Sequence, residues 1–482
     1  MEQTSDKIYK NRMIILFNVV LMTFMATLDG SIVNVALPSM AEKLSVSTKA
    51  VAWVVSSYLI VISATILIFG RLGDIKGKTN IFKYGIIIFT LGSLLCGISN
   101  SLVFLIIARA IQAIGAAATM ANNQGIITHV FPSNERGKAL GISGAFVALG
   151  SMAGPPIGGF IISHFSWKYI FLINVPIGIF VFFSALKNIP KSNKATEGKL
   201  DTLGSVLFAI CIITLFLSLI TGEDYGYSDP VIFAGFATAI ITFIIFIAKE
   251  RRTQDPLLEL SLFHNKLFSL SIFCAYISFL SINSVMIIQP FYLQNTLNYS
   301  PAFTGLVMTV YPLVMSIVAP TSGYLSDKIG SEFLTFLGLV ANSTGLFLMS
   351  TLTQHSSLYM LIIFIVIMSL GNGLFQSPNT SLIMANAPRN MLGISGSVNA
   401  LIRNLGMISG TSIAILILYS RMSSKLGYQV STYINGKDDV FVYGMRGAYL
   451  TAASISAFGA ILTAFRLYKI KKAKSKRAKE DR

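Results

Sequence analysis

Apolar residues run along most of this chain in long blocks separated by short polar punctuation. A membrane-crossing helix needs about 20 mostly apolar residues. Blocks of that kind occupy 13–37, 50–69, 80–98, 102–128, 138–162, 166–187, 201–221 and 229–248. Six more follow at 266–290, 302–325, 332–352, 356–386, 393–419 and 445–467. The pattern predicts an all-α membrane protein with 14 transmembrane helices. The first block is too long for a signal-peptide core, so it is expected to be a retained helix. One polar interval breaks the helical rhythm: in 420–444, Tyr428–Ile434 and Val440–Tyr443 flank Asn435-Gly436. Alternating strand formers around Asn-Gly predict a short external β-hairpin.

Composition agrees with the pattern. Of 482 residues, 54% are hydrophobic and 12% charged, where a soluble chain carries about 25% charged residues. Too little polar surface exists to coat a water-soluble globule. The net charge of +17 would suggest a nucleic-acid partner in a soluble protein, but the basic residues sit in short loops between apolar blocks. With both termini placed in the cytoplasm, inner segments hold 28 of the 37 Lys and Arg and outer loops hold seven. That is the asymmetry expected of cytoplasmic loops. Arg109 and Arg403 lie inside helices. The tail 468–482 is basic and follows a membrane block, so it is expected to face anionic lipid heads. Cys96, Cys211 and Cys274 all fall in apolar blocks, and the four histidines are scattered. Neither a disulfide framework, a metal site nor a cofactor is expected. The Ile-, Lys- and Asn-rich composition points to a bacterial source.

The chain repeats itself. Leu-Gly-Ile-Ser-Gly stands at 140–144 and at 392–396; Gly70, Asp74 and Gly77 return as Gly323, Asp327 and Gly330; Gly154 and Gly158 return as Gly406 and Gly410. The common offset of about 252 predicts two related six-helix halves, 1–187 and 265–467, with two inserted helices in 188–264. Parallel repeats of this kind place a substrate cavity between the halves near the midplane.

Asp29 is the acidic residue within an apolar helix body, where a carboxylate is costly and functional use is the default. It lies eight residues before the outer end of the first block, about 12 Å at 1.5 Å per residue. Arg109 lies about 10 Å from the outer end of the fourth by the same rise, so the two share a depth and can pair. Either a static pair or an exchange of partners on protonation fits those positions. Arg403 lies about 15 Å into the thirteenth block, placed to bind an anionic substrate group or to cap backbone carbonyls. Gly150, Gly154, Pro155, Pro156, Gly158 and Gly159 combine missing backbone donors with small residues, which predicts a bend and a close helix contact. In the loop after the second block, Gly70 and Gly77 permit a tight turn. Arg71, Asp74 and Lys78, with Asp327 in the repeat, form a candidate cytoplasmic gate. Asn34, Tyr58, Gln112, Asn122, Asn123, Gln289, Tyr292, Gln294 and Asn372 are candidate pathway residues, because amides facing lipid would be unsatisfied.

Several of these segments are also familiar together. Leu28–Pro38, Gly70–Lys78, Arg109–Gly115, Gly150–Gly159 and Asn174–Gly178 make the chain resemble the major facilitator superfamily, and within it the fourteen-helix drug:proton antiporter family. The resemblance implies the major facilitator fold and alternating access, with proton-driven export of small lipophilic compounds and an antiport role for the fifth-helix motif. It implies a multi-pass protein of the bacterial cell membrane that acts as a monomer. A dedicated exporter of one antibiotic, lipid or metabolite is the alternative, and a non-transporting sensor the more distant one. The Arg403-Asn-Leu-Gly406 setting also matches the family. The extra membrane acids of family members that export divalent cations are missing from helices nine to fourteen. An enzyme is not expected: no phosphate-cradling loop, metal cluster or nucleophile–base pair occurs.

Overall fold

The computed structural model describes residues 11–189, 200–226, 228–253, 256–388 and 392–480. The first ten residues and 190–199 lie outside these, as do the side chains of Asp327 and of 470–480. The long helices are α1 (Arg12–Leu44), α2 (Trp53–Lys76), α3 (Lys78–Ile98), α4 (Leu102–Val130), α5 (Ser133–His164) and α6 (Asn174–Asn188). Next come α7 (Thr202–Tyr225), α8 (Pro230–Glu250) and α9 (Lys266–Phe291). α10 runs in two pieces, Pro301–Met308 and Val310–Ile329, before α11 (Ser331–Met349), α12 (Leu358–Ala385), α13 (Leu392–Leu426) and α14 (Asp438–Glu480). Among the described residues, thirteen helices are long and apolar enough to cross a membrane. α5 is 32 residues long.

The polar punctuation does the work of starting helices. Ser101, Asp201, Asp229, Asn265, Ser300 and Ser357 each accept a hydrogen bond from a backbone N–H of the first turn that follows. Those amides have no intrahelical partner of their own. α2 passes into α3 through Gly77 alone, and α10 into α11 through Gly330 alone. These glycines have φ of +95° and +94°, a region that a side chain would strain. The tight turn expected after the second block is built this way at Gly77, whereas Gly70 lies inside α2.

The expected β-hairpin does not form. α13 continues to Leu426, and α14 begins at Asp438 and takes Val440–Tyr443 with it. Val440 and Phe441 are buried on that helix. The Asn435-Gly436 turn is present, with Gly436 at φ +76°, but Asp438 and Asp439 follow it in the first turn of α14, where acids suit the helix dipole. Burying an apolar helix face prevailed over local strand preference. No strand occurs among the described residues.

Two compact units emerge. The first comprises Met1–Leu260, Leu293–Thr309 and Ser431–Tyr433; the second Ser261–Tyr292, Val310–Val430 and Ile434–Arg482. In the first, α1 packs on α5, α3 on α4, α2 on α4 and α3 on α6. In the second, α9 packs on α13, α11 on α12, the second piece of α10 on α12, and α11 on α14. Each pair of the second unit involves helices eight places later in the chain than its counterpart. Glycines hold the corresponding crossings close. A Cβ on Gly92 would lie 2.5 Å from the Gln112 Cα, and one on Gly345 would lie 2.5 Å from the Met368 amide nitrogen. α7 packs on α8 and, more lightly, on α2.

Candidate functional site: a buried carboxylate–guanidinium network

Asp29 lies inside the first unit with none of its surface exposed. Its Oδ2 accepts from Arg109 Nη1 at 2.5 Å, and its Oδ1 accepts from Gln112 Nε2 at 2.9 Å and Asn174 Nδ2 at 3.0 Å. Arg109 and Gln112 are three residues apart on α4, so one face of that helix presents both. The Arg109 Nη1 also donates to Gln112 Oε1 at 2.6 Å, and its Nε donates to the Val54 carbonyl at 3.1 Å. Gln112 Nε2 donates further to Ser93 Oγ at 2.8 Å. The guanidinium carbon sits 3.9 Å from the centre of the Tyr58 ring and 5.5 Å from that of Phe171, within cation–π range. Five long helices, α1, α2, α3, α4 and α6, thus contribute to one network around the Asp29–Arg109 pair.

A buried ion pair survives only when its remaining donors and acceptors are also satisfied, and removing one partner costs about 3–5 kcal/mol. Here the amides of Gln112 and Asn174 and the Val54 carbonyl meet that need. Ser93 and Asn174 were not among the candidates from sequence. Asn174 opens the Asn174–Gly178 segment, and an amide within the apolar block 166–187 was the available signal.

α5 holds α1 from the other side. Gly150, Gly154 and Gly158 fall at helical spacing, and Cβ atoms there would meet Thr27, Ser31 and Ile32. Ser31 Oγ donates across this contact to the Gly150 carbonyl at 3.2 Å. Gly159 and Pro155 face the first piece of α10: a Cβ on Gly159 would lie 2.4 Å from the Pro301 carbonyl oxygen, and one on Gly305 would lie 2.1 Å from that of Pro155. α5 runs through Pro155 and Pro156 without interruption. The two-proline motif is therefore wedged between the helix that bears Asp29 and the start of α10.

The other candidates are dispersed. Asn122 Nδ2 donates to the Phe69 and Ala118 carbonyls, and Asn123 Nδ2 donates to Thr23 Oγ1 at 2.7 Å, so both tie helices within the first unit. Asn122 also lies against Gly73, beside the gate motif. There Lys78 pairs with Asp74, Arg71 is half-buried, and Gly70 packs near Ala121. Asn34 is half-buried on α1, and Gln294 Nε2 donates to the Val35 carbonyl at 3.1 Å. In the second unit, Tyr292 Oη donates to the Thr353 carbonyl at 2.6 Å, and Asn372 joins Tyr311 and Ser278. Gln289 is buried with its Nε2 unpartnered. Arg403 is half-buried on α13. Arg466, near the end of the last apolar block, is buried and donates to Ser271 Oγ and Thr335 Oγ1.

The sequence model of the Major Facilitator Superfamily matches residues 19–250 and 268–482. The chain belongs to this superfamily. It is a transporter and an integral multi-pass membrane protein, not an enzyme. It is 38% identical to the riboflavin transporter RibZ of Clostridioides difficile (strain 630), across 96% of this chain and 99% of that one. It is 29% identical to the multidrug resistance protein Stp of Mycobacterium tuberculosis, across 84% and 75%. It is 27% identical to the multidrug transporter protein MdtP of Bacillus subtilis, across 90% and 80%. The fold superimposes with a TM-score of 0.66 on an inward-facing bacterial homologue of the human lysosomal transporter Spinster, at 16% identity across 94% of this chain and 96% of that one.

Proposed function

We propose that this transporter exports small lipophilic compounds in exchange for protons by alternating access, and that Asp29 carries the proton. The observation that supports the reading most is the shielded Asp29–Arg109 pair, built with spare partners. When Asp29 is charged, Arg109, Gln112 and Asn174 saturate it. When it takes a proton the ion pair is lost, yet Arg109 keeps the Val54 carbonyl, the Gln112 Oε1 and the Tyr58 face. The guanidinium keeps hydrogen-bond and ring partners, which lowers the cost of losing its counter-ion when the carboxyl takes up a proton. α1 bears Asp29 and is clamped by the glycines of α5, which also touch α10. Protonation at Asp29 is thereby placed to shift the α1–α5–α10 contact, and the Asp74–Lys78 pair is read as part of an inner latch.

In this reading α5 is the fourteenth span and both termini face the cytoplasm. Residues 1–187 and 265–467 act as the two halves, 188–264 as an inserted pair, and the protein works as a monomer in a bacterial cell membrane, in keeping with its bacterial relatives. Asn34, Gln289, Gln294, Asn372 and Arg403 remain candidates for the substrate path. A carrier dedicated to one compound is the second reading. It is favoured by the 38% identity over nearly the full length of a riboflavin transporter, against 27–29% for relatives named for multidrug transport.

Everted membrane vesicles energised acid-inside test both. Several unrelated drugs should dissipate the pH gradient with wild type and none with Asp29→Asn. Full activity of Asp29→Asn would remove the proton-carrier role. A response to riboflavin alone would select the dedicated carrier.

A further inference from the structure

Charges buried in a membrane protein find partners, and Arg109 and Arg466 do so here. Arg403 does not. It stands nine residues into the candidate span Ile394–Leu426, about 14 Å along the helix at 1.5 Å per residue. Among the described residues it makes neither a hydrogen bond nor an ion pair, so the carbonyl-capping alternative raised by its position is not realised. Long basic side chains near helix ends reach the headgroups, but one deep in a span must face protein or a water-filled cavity.

Helical spacing says which. Gly406 and Gly410 follow Arg403 by three and seven residues, and both lie against α9, at the Tyr276 and Leu280 carbonyls. Arg403 therefore shares the face of α13 that meets another helix, not an outward lipid face. Asn399, four residues earlier on that face, is also half-buried. A guanidinium and an amide one turn apart offer a fork of donors with no acceptor charge to satisfy them.

Among the described residues, no acid lies within the helix interiors of the second unit: Asp327, Glu332, Asp438, Asp439 and Glu480 all lie at helix ends. Asp29, deep in the first unit, is already matched by Arg109. The uncompensated charge in the helix interiors is thus positive.

We propose that Arg403, assisted by Asn399, anchors a carboxylate or sulfonate on the exported compound, so that the substrates are lipophilic organic anions and not lipophilic cations. This rests on the export reading above and narrows its substrate class. Arginine meets such a group bidentately with two charge-assisted hydrogen bonds, whereas a cation would approach an unscreened like charge.

The test is equilibrium binding to the full chain in nanodiscs, corrected for empty discs, with three fluorescent probes. Anilinonaphthalene sulfonate is the anion, phenylnaphthylamine is the same ring system without the sulfonate, and ethidium is the cation. Wild type should bind the sulfonate at least tenfold more tightly than ethidium. Arg403→Gln should weaken the sulfonate about tenfold, equivalent to about 1.4 kcal/mol, while phenylnaphthylamine binding stays within twofold and reports an intact fold. Arg403→Lys should recover part of the loss. Wild-type preference for ethidium, no sulfonate binding to wild type, an undiminished sulfonate affinity in Arg403→Gln, or an equal loss of both naphthalene probes would each overturn the proposal. Binding needs no proton gradient, so active efflux by Asp29→Asn would sink the coupling reading and leave this result standing.

Discussion

At Asp29 the physics of one atom pair sets the terms for its surroundings. A carboxylate and a guanidinium 2.5 Å apart and sealed from water attract strongly, but each has lost its hydration, and only the further hydrogen bonds make the arrangement tolerable. Asn174 is the partner whose contribution is easiest to isolate, because it touches Asp29 Oδ1 and bears no charge itself. Asn174→Ala leaves that oxygen with Gln112 alone. A hydrogen bond to a charged group is worth about 1.5–3 kcal/mol, so the purified protein should melt at a lower temperature. Asn174→Asp should be worse, since two carboxylates would then share one site. Thermal unfolding followed with a thiol-reactive dye reads both, as Cys96, Cys211 and Cys274 are buried in the fold. Equal melting of wild type and Asn174→Ala would mean that the amide contributes nothing to holding the carboxylate. The pairing of Asp29 with Arg109 was legible from matching depths in two helices. The roles of Asn174 and Ser93 were not, because a short polar side chain on an apolar helix gives no hint of the azimuth at which it points.

Among the elements, the inserted pair α7–α8 is bound at one end by charge. Asp201 caps α7 through the Gly204 amide at 2.9 Å and pairs with Lys249 near the end of α8, while Glu250 Oε2 accepts from the Leu258 amide at 2.9 Å. Burial pushes the Asp201 carboxyl up, but the Lys249 hydrogen bond, the Gly204 amide and the lysine charge together bring it below the ordinary carboxylate range. A group depressed in the folded state stabilises the fold above its unfolded value, about 3.9 for aspartate, and that stabilisation disappears as pH falls through the folded value. Hydrogen exchange at the first turn of α7 should therefore be slow at neutral pH and accelerate below about pH 4. Asp201→Asn should exchange faster at neutral pH and lose most of that acid response; an unchanged response in the variant would assign it to other groups. The hairpin expected in 420–444 teaches the complementary lesson. Asn-Gly did mark a turn, but the flanking alternation of Tyr, Val and Phe also suits one face of a helix, and only the burial of Val440 and Phe441 decides between them.

For the whole molecule, the run lengths, the glycine repeats and the basic-residue bias made the helical membrane architecture readable before any coordinates. What sequence could not supply is which side chains meet across a crossing: Asn122 and Asn123 prove to be inter-helix ties, and Arg466 belongs to the bundle. The repeat is now visible as the same set of helix contacts, including glycines at 92 and 345 that admit a neighbouring backbone. The topology turns on α5, which packs on α1, the helix that bears Asp29. If α5 crosses, the residues at its two ends lie on opposite sides of the membrane. His129, exposed at the end of α4, and Ser166, exposed just beyond α5, frame it closely. In a background with the three native cysteines replaced by alanine, Ser166→Cys should react with a membrane-impermeant maleimide on intact cells. His129→Cys should react only after permeabilisation. Labelling of both from the same side would give α5 an even number of crossings, put the chain's two ends on opposite faces, and break the correspondence between α1–α6 and α9–α14 on which the proposed alternating access depends.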